Sequence, residues 1–212
     1  MRTKTKALAL ALCAVLLVVS TVFVTMAFLT DRDLVKNTFT FGQVGISLDE
    51  ADVDVNGKVE AGDDRESTEG RVQENEYHLI PAHKYKKDPT IHVDDGSENC
   101  LLFVKLENGL KDIIASKTIE EQMQGYGWTL IDSDNNIWAY NKVVAENEHI
   151  EVFDEFTLTD DAVVSNYGDA TIIVTAYAVQ ADGFIANTTA GTTVSTDDAT
   201  ATWTATANSF GN

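Results

Sequence analysis

Short segments in which apolar and polar residues alternate with a period of two make up most of this chain. From Asn37 onwards Phe39, Phe41, Val44, Ile46 and Leu48 alternate with small or polar residues and change phase at Gly42, the pattern of a strand carrying a bulge. Thr90 to Val93 and Cys100 to Leu106 predict two strands joined by the turn-forming residues Asp94 to Ser97. Trp128 to Asp132 and Ile137 to Tyr140 flank Ser133 to Asn136 and predict a hairpin. His149 to Leu158 and Ala170 to Gln180 predict two more strands, the second dense in β-branched residues. One internal segment breaks the alternation. Leu110, Ile113, Ile114, Ile119 and Met123 allow one or two helical turns, with Thr118 as cap and Glu120 and Glu121 in the first turn. Many short strands with turns between them and one short helical insertion predict an all-β fold, an antiparallel β-sandwich. Pro81 and Pro89, the only prolines, interrupt none of these strands, and no repeat of solenoid length is present.

Three stretches lack the alternation. Ala7 to Thr30 is an uncharged run, preceded by Arg2, Lys4 and Lys6, that suits an export signal or a membrane anchor. Thr25 and Ala27 put small side chains at the positions a signal peptidase requires for a cut before Phe28, which favours cleavage over retention as an anchor. In either case the rest of the chain lies outside the cell, and membrane contact is limited to this segment. Asp49 to Glu76 is acidic and contains glycine, with few large apolar residues, and is expected to be a long exposed loop. Asn187 to Asn212 is rich in Thr and Ala and holds only Trp203 and Phe210 as aromatic anchors. The expected organisation is a signal peptide over 1–27, a sandwich domain over 28–186 and a Thr/Ala-rich tail over 187–212.

Charge narrows the choice of partner. The 212 residues include 34 acidic and 15 basic ones, for a net charge of −19. Three of the basic residues belong to the amino-terminal run, so the chain from Phe28 carries 12 against 34, a net of −22. A phosphate backbone repels such a surface, which excludes nucleic acid as the default partner. The pattern with the most definite chemistry is Asp52-Val-Asp54-Val-Asn56-Gly57-Lys-Val59-Glu60-Ala-Gly-Asp63. Asp52, Asp54, Asn56, Glu60 and Asp63 fall at the spacing of a calcium loop, with glycine at the sharp turn, although Asp63 stands where a longer Glu is usual. A solvated acidic loop explains the same residues, so calcium is a possible ligand and no other cofactor is expected. Nothing marks an enzyme: the chain has no His-Glu-x-x-His, no Gly-x-Ser-x-Gly, no phosphate-binding glycine loop and no paired cysteines. His78, His83, His92 and His149 show no metal-ligand spacing, and Cys100, in an apolar run, is expected to be a buried residue.

Several segments, taken in order, resemble one family. They are Met26-Ala-Phe-Leu-Thr-Asp31, Asn37-Thr-Phe-Thr-Phe-Gly-Gln-Val-Gly-Ile-Ser-Leu48, Asn75-Glu-Tyr-His-Leu-Ile-Pro81, Tyr85-Lys-Lys-Asp-Pro-Thr90 and Ala176-Tyr-Ala-Val-Gln-Ala-Asp-Gly-Phe184. The chain is similar in these to the camelysin/TasA family of Gram-positive bacteria, whose signals are cut by a signal peptidase of the SipW type. The resemblance implies a jelly-roll-like sandwich, export, and self-association into fibres of a biofilm matrix. It further implies that an amino-terminal strand of one subunit completes the sheet of the next, with Phe28, Leu29, Leu34 and Val35 in the donor strand; an ordinary first strand of the same domain is the alternative. Ala82 and His83 stand where the family usually has a glycine-containing turn. With no recognisable zinc motif, the metalloprotease activity ascribed to camelysin does not carry over. Two readings remain beside the matrix protein: a monomeric calcium-dependent surface-binding module and an unrecognised metallopeptidase.

Overall fold

The structure is a computed structural model that describes residues 30–33, 44–115 and 117–209. Twelve strands are described: β1 (Thr30–Asp33), β2 (Ile46–Val53), β3 (Val59–Ala61), β4 (Arg71–Val72), β5 (Lys84–Lys86), β6 (Thr90–Val93), β7 (Cys100–Asn108), β8 (Trp128–Asp132), β9 (Ile137–Tyr140), β10 (His149–Glu151), β11 (Glu155–Thr157) and β12 (Ile172–Gln180). Two α-helices join them, α1 (Ile119–Gly125) and α2 (Thr196–Thr206). One sheet runs β1-β12-β7-β9-β8, a second runs β10-β6-β2-β3 with β4 also on β2, and β11 pairs with β5. Every strand pairing is antiparallel, as the alternation predicted, and the fold is an all-β sandwich.

The apolar run of β7 explains how the layers stack. Cys100, Leu102, Val104 and Leu106 point into the core between the two large sheets, where they meet Ile46, Ile91, Val93, Trp128 and Trp138. Leu101 and Phe103 point the other way, into a second cluster with Tyr177, Val179, Val194 and Ala199. A strand buried on both faces carries no polar side, so its sequence is a continuous apolar run. The cover on that second face is residues 187–209. Helix α2 is capped by Ser195, whose side chain accepts from the Asp198 amide, and the Trp203 ring packs tilted against Phe103 and edge-on to Tyr177. Its threonines 200, 202, 204 and 206 each donate to the carbonyl four residues back, which satisfies hydroxyls that otherwise disfavour a helix. The segment expected to be a tail is thus a layer of the fold.

Other elements differ in detail from the sequence reading. Strands β6 and β7 are consecutive but lie in different sheets, so Asp94 to Ser97 crosses the sandwich edge. His149 to Leu158 is two strands in two sheets, because the chain leaves β6 after Glu151 and joins β5 at Glu155. The expected acidic loop begins inside β2, which continues to Val53 with Asp49, Glu50, Ala51 and Val53 buried. Residues 37–43, expected in the first strand, lie outside the described residues.

Candidate functional site

The amino-terminal strand sits at the edge of the larger sheet. Thr30, Asp31, Arg32 and Asp33 pair with Val179, Ala178, Tyr177 and Ala176. On its other side β12 pairs with β7 along all nine residues. Ile172 to Thr175 pair with β7 on one side and, among the described residues, with no strand on the other.

A groove runs along this half of β12. Its volume is about 1260 Å³, and its walls are Ile172 to Thr175 on one side and Leu48 to Glu50 with Val72 to Leu79 on the other. Leu110, Phe156, Val164 and Tyr167 also line it. Apolar side chains of the wall, among them Leu48, Tyr77, Leu79, Ile172 and Val174, are only partly buried and pack on the core from above. Ile173 is 45% exposed on the rim. A β-edge that no described strand covers, beside partly covered apolar side chains, is a surface that a further strand can fill. Phe28, Leu29, Leu34 and Val35, the expected donor residues, lie outside the described residues.

The wall opposite β12 is held by charge. The Arg71 side chain is fully buried, with Nε 2.5 Å from Asp49 Oδ1, and donates to the carbonyls of Gly62 and Asp88 at 2.7 and 3.1 Å. Asp88 is also fully buried; it accepts the Ala51 amide at 2.8 Å and Arg65 Nε at 3.1 Å. Arg65 pairs as well with Glu151 at 2.7 Å and with Asp154. Burial works against charge on Asp154, yet Lys86 and Arg65 together hold its carboxyl below the usual range. These two arginines fold the acidic segment back onto the second sheet, where an exposed loop was expected. The sequence signal was there: Arg65 and Arg71 are isolated cations among carboxylates.

The calcium-spaced residues form a hairpin end. Asp52 lies in β2 opposite Ala61, and Asp54 turns the chain by accepting the amides of Asn56 and Lys58, both at 2.9 Å. The Lys58 amide is the largest of the contacts that hold the Asp54 carboxyl below its ordinary value. Gly57 has φ +75°, and a Cβ there would stand 2.8 Å from the Tyr85 Cα, so glycine is required by both conformation and space. Among the described residues no three His, Cys, Asp or Glu side chains are gathered as a metal site, and of the five calcium-spaced residues Asp54 serves the turn.

The histidines separate into different settings. His83 Nε2 contacts the Asn56 carbonyl at 2.8 Å. His92 and His149 are cross-strand partners whose Nδ1 atoms are 2.7 Å apart, while His92 Nε2 meets Asp49 Oδ1 at 2.8 Å. Cys100 is buried as expected, and burial followed by Glu148 pushes its thiol up to about 12, which keeps it protonated and unreactive.

Compared with family models, curated proteins and solved structures, the chain matches none. No helix among the described residues is long and apolar enough to cross a membrane.

Proposed function

We propose that this chain is an exported structural protein whose copies assemble into extracellular matrix or surface fibres, with the amino-terminal strand of one copy completing the sheet of the next. The observation that supports this reading is the strand from the start of the chain seated on one half of the β12 edge, with a groove beside the other half, which no described strand covers. The strand seated there covers Ala176 to Val179 within one chain, and the same pairing made between chains leaves each copy with one edge to donate and one to fill. Such a contact is head-to-tail, and wherever its rotation does not close a ring it runs on into an open filament, the symmetry of a fibre. A chain of this charge repels its own kind, so salt or divalent cations are expected to promote assembly by screening. Export follows from the amino-terminal run, with a signal peptidase of the SipW type as the processing partner that the family resemblance suggests.

Electron microscopy and light scattering of the chain beginning at Phe28 test this. Concentration-dependent fibres are expected, abolished by deletion of residues 28–35 and suppressed by Ile173→Lys, which places a charge on the exposed rim without touching the core. Monomers at every concentration and salt, or fibres indifferent to both changes, would overturn the reading.

A further inference from the structure

Three side chains in the groove wall have a relationship that the assembly reading does not use. Glu50, on β2, is 2% exposed, and each of its carboxylate oxygens has a different partner. Oε2 is 2.6 Å from Lys87 Nζ, just after β5, and Oε1 accepts Asn75 Nδ2 at 3.0 Å, just after β4. The Asn75 carboxamide is fixed on its other sides. Its Nδ2 also donates to the Ala51 carbonyl at 2.9 Å, and its Oδ1 accepts the Val53 amide at 3.0 Å. The Lys87 side chain is 12% exposed, with Nζ 5.9 Å from the centre of the Tyr77 ring. An amine, a carboxamide polarised by a backbone N–H, and one buried carboxylate touching both are the complete set of groups for amide exchange.

We propose that Lys87 and Asn75 become joined by an intramolecular amide bond, with Glu50 carrying the protons. Glu50 takes a proton from the Lys87 ammonium, and the neutral amine attacks Cγ of Asn75. A bond forms between Nζ and Cγ, and the charge that develops on Oδ1 is met by the Val53 amide, as at an oxyanion hole. Protons from Nζ pass through Glu50 to Nδ2. The bond from Cγ to Nδ2 breaks, and the nitrogen leaves as ammonium. Nζ keeps one hydrogen, Glu50 ends ionised as it began, and nothing is oxidised or reduced. One carboxylate bridges the amine and the carboxamide, and groups held in place by a common partner react as though at raised concentration. The product ties the segment after β4 to the segment after β5 within a single chain, so it forms whether or not chains assemble.

Intact-mass measurement of the folded chain tests the bond. The expected mass is below that of the sequence by one ammonia, about 17 Da. Proteolysis is expected to yield one branched peptide containing both Lys87 and Asn75. Lys87→Arg keeps the ion pair to Glu50 but presents a guanidinium that does not lose its proton, so this variant is expected to fold, by circular dichroism, and to show its full mass. Glu50→Gln is expected to show its full mass as well. A full mass in the unsubstituted chain overturns the proposal. So does a loss of ammonia that persists in Lys87→Arg, because that loss belongs to a cyclised Asn or Gln elsewhere, and a loss persisting in Glu50→Gln removes Glu50 from the chemistry.

Discussion

His149 shows how one side chain links the edge of the second sheet to pH. Its Nδ1 faces Nδ1 of His92 at 2.7 Å, and the contact holds a single proton. Asp49 fixes which nitrogen of His92 faces inward, because its Oδ1 accepts from both Arg71 Nε and His92 Nε2. Burial, then the neighbouring His92, hold the His149 imidazole below its ordinary 6.5, against the opposing pull of Glu66, Asp49 and Asp64. A folded value below the unfolded one means the unfolded chain binds the extra proton first. Stability is therefore complete above about 6.5 and falls as pH drops below it. Urea midpoints measured from about pH 7.5 down to 5.5 should decline, and His149→Gln should flatten the decline in that window. The pair was invisible in the sequence: His92 and His149 are far apart in the chain, and only the β6 to β10 register makes them neighbours. The Cys100 reading needed no such knowledge, because a thiol inside an apolar run is buried by its immediate neighbours alone.

Among the elements, those legible in the sequence were the ones whose signals are local. The β8–β9 hairpin has the predicted bounds, since alternation and turn residues both lie within its own span. Helix α1 begins at the predicted Thr118, with the reciprocal bonds to Glu121 that make a capping box. Helix α2 was missed because its buried positions are Ala199, Thr202 and Thr206, which carry almost no hydrophobic contrast; its legible trace was Ser195 followed three residues later by Asp198. The oxygens of the β2–β3 hairpin have the spacing of a calcium loop, and one of them, Oδ1 of Asp54, also holds the turn. Asp54 decides between these roles. If Oδ1 of Asp54 is occupied by the Asn56 and Lys58 amides, Asp54→Ala lowers the melting temperature equally with and without added calcium. A thermal shift with calcium that disappears only in Asp54→Ala would restore the metal.

At the scale of the whole molecule, the alternation predicted two layers and the structure has a third. The two large sheets enclose one core, and the last described residues close a second on the far side of β7 and β12. Sequence patterning gives the period of a strand but not what lies over each of its faces, so the doubly buried run of β7 was compatible with either arrangement. Trp203 anchors the third layer, with ring centres 5.4 Å from Phe103 and 5.3 Å from Tyr177. Trp203→Ala is expected to cost about 2 to 4 kcal/mol in urea unfolding. Loss in a single cooperative transition shows that this layer belongs to the same folding unit; a separate early transition at low denaturant shows that it does not.

If the chain is exported as proposed, Arg65 and Arg71 of the acidic segment have a further consequence. Enzymes that cut after basic residues are common outside cells, and between Asp49 and Glu76 they find three targets. The Arg71 side chain is wholly inside, Arg65 is 17% exposed and clamped by three carboxylates, and Lys58 closes a tight turn whose amide is held by Asp54. Cleavage needs several residues drawn out into an extended strand, and here the fold withholds them. The cations that pin down the longest acidic stretch of the molecule also hide its cutting sites, so the clasp doubles as armour.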